Sequence, residues 1–130
     1  MSENKNQLNN QLNDQKNVDH RPWGKFEVLS GDDHCGFKVK KITVNPGKRL
    51  SLQSHKFRKE YWCNLSGSGL AQVGDEFIEL KNNSMVFIDI GVKHRLINNS
   101  DKDLEIIEIQ LGTYLGEDDI IRYEDDFNRN

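Results

Sequence analysis

From Arg21 onward, apolar positions cluster in short extended runs broken by polar turn residues, the texture of strands. Runs at 25–29, 37–44, 50–55, 61–65, 70–73, 76–80, 85–88, 93–97 and 104–111 each predict a strand. Turn chemistry separates them. Gly31-Asp32-Asp33, Asn45-Pro46-Gly47, Ser66-Gly67-Ser68-Gly69, Gly74-Asp75, Asn82-Asn83-Ser84 and Asn98-Asn99-Ser100-Asp101 all suit tight reversal. No long stretch carries the 3.6-residue apolar period of a helix. This many short strands in one domain predicts an all-β fold, either a closed barrel or a two-sheet jelly roll. Residues 118–127 fit a short strand or a helical turn, and the pattern leaves both open.

The start of the chain differs. Nine of the first 17 residues are Asn or Gln, and only Met1, Leu8 and Leu12 among them are large and apolar. Such a segment buries too little surface to offset its ordering entropy, so residues 1–19 are expected to be a disordered tail before a barrel domain at 20–130. Leu8 and Leu12 are spaced for one helical face, which makes a short docking helix the alternative.

Hydrophobic residues make up 35% of the chain and charged residues 30%, as in a soluble globular domain. No apolar run reaches the length of a membrane span and the N-terminus has no apolar signal, so no membrane partner and a cytoplasmic location are expected. A net charge of −3 gives no general attraction for nucleic acid. The distribution says more than the total. Residues 36–59 hold eight Lys or Arg and no acid, whereas residues 117–126 hold six acids and one cation, Arg122. These segments are either two solvated edges, or the basic one helps to receive a small anion. Cys35 and Cys63 form no C-x-x-C pair and are expected as free thiols, one or both buried.

Gln53 and His55 lie two apart on a predicted strand and so share a face. Glu60 opens the next strand and His94 lies on another, just after the Asp89-Ile90-Gly91 turn. Two imidazoles, a carboxylate and an amide oxygen make a first shell for one divalent ion: zinc foremost, with manganese, cobalt, nickel or iron compatible. A dinucleotide fingerprint, a Walker lysine, a nucleophile elbow and an H-E-x-x-H helix are all absent.

The spacing Gly47-x5-Gln53-x-His55-x4-Glu60-x6-Gly67, followed by Gly91-x2-His94-x3-Asn98, resembles the two motifs of the cupin superfamily. The resemblance implies a double-stranded β-helix with a central metal. Most cupins carry a third histidine where this chain has Gln53.

A closer resemblance rests on Arg21-Pro22-Trp23-Gly24, on Leu50-Ser51-Leu52-Gln53 with His55, Arg58, Glu60 and Trp62, and on Gly91-Val92-Lys93-His94-Arg95-Leu96. Tyr114-Leu115-Gly116-Glu117-Asp118-Asp119-Ile120 with Arg122 and Glu124-Asp125 completes it. Together these resemble the type II mannose-6-phosphate isomerase domain, which is often fused behind a mannose-1-phosphate guanylyltransferase. The resemblance covers residues 20–129, and with no guanylyltransferase half, nucleotidyl transfer is not expected.

It implies metal-dependent interconversion of mannose 6-phosphate and fructose 6-phosphate. Arg58 is the first candidate to grip phosphate or stabilise an enediolate, and Arg122 the second, with a salt bridge to neighbouring acids as its structural alternative. Lys40 and Arg49, from the acid-free stretch, are further candidates for the phosphate. Glu108 shares strand parity with Gln110 and is the candidate base.

The chain departs from the family where Phe57, Tyr61 and Asp89 replace two histidines and a proline. Tyr61 is a candidate hydroxyl proton carrier in place of one histidine. Rival expectations are a non-catalytic cupin that senses a phosphosugar or nucleotide sugar, and a metal dioxygenase. The lack of a three-histidine set argues against the latter. Pairing of edge strands predicts a homodimer.

Overall fold

A computed structural model describes residues 18–128. The expected tail falls outside this range except for Val18 and Asp19, which lie in a strand. Eleven strands form among the described residues: β1 (Val18–Arg21), β2 (Gly24–Gly31), β3 (Phe37–Val44), β4 (Leu52–Ser54), β5 (Arg58–Ser66), β6 (Gly69–Val73), β7 (Glu76–Leu80), β8 (Met85–Ile88), β9 (His94–Ile97), β10 (Leu104–Gly112) and β11 (Ile121–Glu124). No helix is present among them, so the all-β expectation holds, and the open question at 118–127 is answered by a strand.

The strands form two sheets, one in the order β1-β2-β3-β10-β5-β8 and the other β11-β4-β9-β6-β7. Side chains from both sheets meet in one core that includes Trp23, Phe26, Ile42, Trp62, Leu80, Leu96 and Ile106. The chain crosses between the sheets at Gly67, after β5. Its φ is +82°, and a Cβ there would stand 2.3 Å from the Asp103 carbonyl oxygen, so only glycine fits.

The middle of the larger sheet explains where the chemistry lies. On β3, β10 and β5 the inward rows read Val44–Leu104, then Ile42–Ile106–Asn64, then Lys40–Glu108–Trp62, then Lys38–Gln110–Glu60. Along one continuous face the barrel lining thus grades from aliphatic to charged. The aliphatic end gains burial free energy at roughly 25 cal/mol per Å² of apolar surface, which leaves the other end free to carry buried polar groups that cost stability unless paired.

The acidic and basic segments are not two separate edges. Glu117 pairs with Lys40 and Asp126 with Arg49, so the C-terminal segment folds back along the basic one, and Glu124 pairs with Arg95 of β9. Both cysteines are free thiols, but neither is buried: Cys35 is exposed and Cys63 half-buried.

Candidate metal centre

His55 lies in the turn between β4 and β5, Glu60 is the third residue of β5 and His94 the first of β9. All three are buried. His55 Nε2 stands 3.2 Å from Glu60 Oε2, and His94 Nε2 stands 3.6 Å from Glu60 Oε1. The three ligand atoms lie within 4.8 Å of one another, a separation that one divalent ion can bridge. Gln53 neighbours them. It pairs with His94 on β9 and with Arg122 on β11, so Arg122, Gln53 and His94 form one cross-strand row. All three line the same cavity, in which the Gln53 amide donates to the Ser51 carbonyl at 3.4 Å.

Backbone carbonyls fix both imidazoles. His55 Nδ1 donates to the Asp119 oxygen at 2.7 Å, and His94 Nδ1 donates to the Val92 oxygen at 2.9 Å. A carbonyl only accepts, so a proton sits on each Nδ1 and each Nε2 is the ring atom that faces the cluster, the orientation a metal ligand needs.

Burial drives the His55 pKa down to about 4, helped by the charges of Arg58 and His94, so the ring is neutral at pH 7. Burial alone would raise the pKa of Glu60. The charges of His94, Arg58 and His55 and the Trp62 N–H outweigh it and hold the group as a carboxylate well below its usual range. Trp62 Nε1 donates to Glu60 Oε1 at 3.0 Å, and Arg58 Nε donates to Oε2 at 2.9 Å. Two imidazoles anchored through Nδ1 and an oriented carboxylate fit a borderline divalent ion.

The cavity around this cluster measures about 590 Å³ with its open mouth included. Glu108 lies in its wall, where burial first and the Glu60 charge second raise its pKa to about 7 against the pull of Lys40 and Arg58. The Gln110 amide donates to it. Two cationic nitrogens in the wall, Arg58 Nη1 and Arg122 Nε, are buried with no hydrogen-bond partner. Buried unpaired donors are costly, and two of them around one cavity point to an anionic occupant.

Other expected residues fall elsewhere. Tyr61 has the opposite parity to Glu60. Its ring packs on Phe87 at 4.9 Å, away from the cavity, so it cannot carry a proton there. Arg49 is also outside, held by Asp126 through Nε at 2.8 Å and Nη2 at 2.9 Å. Lys40 is in the wall, buried rather than exposed, over the Phe26 ring and paired with Glu117.

Three residues gain roles that the sequence did not give them. Trp62 orients Glu60, and its matching strand parity was available as a signal. Arg21, inside the Arg-Pro-Trp-Gly run, lines the cavity. Asp119 acts partly through a backbone carbonyl, which leaves no mark on sequence.

Comparison with known proteins gives the family and the fold. Residues 7–125 match the family described as Mannose-6-phosphate isomerase C-terminal. The xanthan biosynthesis protein XanB of Xanthomonas campestris is 47% identical over 110 residues, covering 85% of this chain and 23% of that protein. The mannose-1-phosphate guanylyltransferase of Salmonella montevideo is 41% identical over 111 residues, with 85% and 23% covered. The chain therefore spans less than a quarter of the length of these relatives. Among solved structures, a cupin-2 domain from Rhodospirillum rubrum superposes with a TM-score of 0.63 at 20% identity, over 73% of this chain and 67% of that one. The capsular polysaccharide assembling protein CapF of Staphylococcus aureus gives 0.67 at 20% identity, over 82% and 34%. These structures share the fold. A cupin barrel by architecture, the chain belongs to the mannose-6-phosphate isomerase C-terminal family.

Proposed function

We propose that this domain is a metal-dependent aldose–ketose isomerase that interconverts mannose 6-phosphate and fructose 6-phosphate. One observation carries the proposal: the His55–Glu60–His94 cluster, a carboxyl with its pKa raised to about 7 and two unpartnered arginine nitrogens share a single cavity. A divalent ion held by His55, Glu60, His94 and Gln53 would polarise the oxygens on C1 and C2 of the sugar.

The chain's own residues do the rest. Glu108 takes the proton from C2 of the aldose, and the C2–H electron pair forms the C1–C2 double bond of an enediolate as the C1 oxygen takes up the charge. The hydroxyl proton passes from O2 to O1, and the same carboxyl returns its proton to C1 as C2 becomes the ketone. A pKa near neutrality suits a group that must both accept and donate. Arg58 and Arg122 supply N–H donors for the phosphate or the enediolate. The wall of Trp23, Phe26 and Trp62 limits water around the reacting carbons.

Phe57 and Tyr61, where the chain departs from its family, are not in this wall: Phe57 is 44% exposed and Tyr61 faces away. Their replacement removes nothing from the cavity.

The test is a coupled isomerase assay with mannose 6-phosphate on protein loaded in turn with zinc, manganese, cobalt, nickel and iron. Turnover that His94→Ala abolishes is expected. Tight sugar-phosphate binding without turnover under every metal would overturn the isomerase and leave a sensor.

A further inference from the structure

Arg58 engages two of the atoms that would ligate a metal. Its Nε donates to Glu60 Oε2 at 2.9 Å, and its Nη2 donates to His55 Nε2 at 3.1 Å. The His55 Nδ1 proton is committed to the Asp119 carbonyl, so Nε2 holds the one lone pair the ring can offer. A single lone pair serves a single partner. It can accept from the guanidinium or bind a metal, but not both. Meanwhile Arg58 Nη1 is buried in the cavity wall without a partner, as is Arg122 Nε.

We propose that Arg58 is an exchangeable side chain that couples metal loading to anion capture. A cation that takes His55 Nε2 releases Nη2, and the Nη1–Nη2 edge of the guanidinium then binds an oxyanion within the cavity. Electrostatics gives the coupling its sign. A divalent ion and a guanidinium in one buried site repel each other, and an anion between them converts that repulsion into two attractions. Metal and anion must then each strengthen the binding of the other by the same factor. This inference rests on the metal centre of the proposed function and adds a competition and a cooperativity that isomerase chemistry does not require.

Cobalt and sulfate are the probes, since cobalt reports its ligation by visible absorption and sulfate has the tetrahedral shape of a phosphate group. Cobalt is titrated into wild-type protein, Arg58→Met, Arg58→Lys and His94→Ala, with and without sulfate. In the wild type, saturating sulfate should tighten cobalt binding on the order of tenfold, and cobalt should tighten sulfate binding by the same factor. Arg58→Met should bind cobalt at least as tightly as wild type without sulfate and show no coupling. Arg58→Lys keeps the charge but not the fork; it should retain cobalt and lose most of the coupling, and it serves if the methionine variant fails to fold.

Weaker cobalt binding by Arg58→Met, or coupling that survives both substitutions, overturns the role of Arg58 while the metal centre stands. A wild-type cobalt signal unaffected by His94→Ala overturns the metal centre and this proposal with it.

Discussion

His55 donates to the backbone oxygen of Asp119 at 2.7 Å, and the Asp119 carboxylate accepts the backbone N–H groups of Lys56 and Phe57 at 2.9 Å each. One residue of the C-terminal segment thus fixes both the imidazole tautomer and the turn that carries it. Asp119→Ala removes the two charge-assisted bonds and frees the turn. Metal affinity should fall roughly 10- to 100-fold, the usual effect of losing a group that orients a ligand. Unfolding free energy should fall by about 1–3 kcal/mol. Isothermal titration and denaturant melts measure the two. Unchanged metal affinity would mean that β4 and β5 alone hold the ring.

Glu108 sets the pH behaviour. If it is the base it must be ionised, so log(kcat/KM) should climb with pH up to a midpoint near 7, the raised value its burial gives. The sign for stability runs the other way. A carboxyl whose folded pKa lies above its ordinary 4.5 contributes stability at low pH and loses it as pH rises through about 7. Glu108→Gln cannot ionise and keeps an acceptor for the Gln110 amide. It should abolish turnover yet melt higher than wild type in mildly alkaline buffer, with the difference fading below pH 4.5. A variant that retains its rate would assign the base elsewhere.

Arg122 separates a ligand contact from a structural ion pair. Its Nε is buried, lines the cavity and has no partner, so replacing it with an apolar chain of similar length removes an unpaired donor rather than a bond. Arg122→Met should leave thermal stability unchanged or raise it by about 1 kcal/mol. The KM for mannose 6-phosphate should rise on the order of tenfold or more, with a smaller change in kcat. A marked loss of stability with unaltered KM would make Arg122 a structural partner of the neighbouring acids.

Several features were legible in the sequence for physical reasons. β3, β7 and β8 have the bounds their runs predict, because turn residues close each run: Asn45-Pro46-Gly47 after β3, Gly74-Asp75 before β7 and Asn82-Asn83-Ser84 before β8. β1 was missed because its residues, Val-Asp-His-Arg, carry no apolar period; pairing along the edge of β2 holds it. Glu60 and His94 could be found because motif spacing reflects where strands turn. The Asp119 contact and the pairing of Lys40 with Glu117 join residues far apart in the chain, and nothing local encodes them. The outward placement of Tyr61 was legible as well. Adjacent residues on a strand face opposite sides, so an inward Glu60 already required an outward Tyr61.

That parity makes a sharp prediction about where this chain differs from its relatives. Tyr61 packs against Phe87 on the outer face of the sheet, and Arg49 is locked to Asp126 away from the cavity. Neither touches the cluster or its cavity, and Arg49 meets the C-terminal segment at Asp126, seven residues beyond the Asp119 that fixes His55. Tyr61→Phe, and Tyr61→His to restore the family residue, should therefore leave kcat and KM within about twofold of wild type, since distant independent sites contribute little to each other. Arg49→Ala should cost no more than about 1 kcal/mol, the range of exposed ion pairs, and leave the kinetics alone. Steady-state kinetics on the metal-loaded variants decide the matter. A large rise in turnover for Tyr61→His would show that the outer face of β5 reaches the reaction after all, and would return the proton carrier to the position where the family has its histidine.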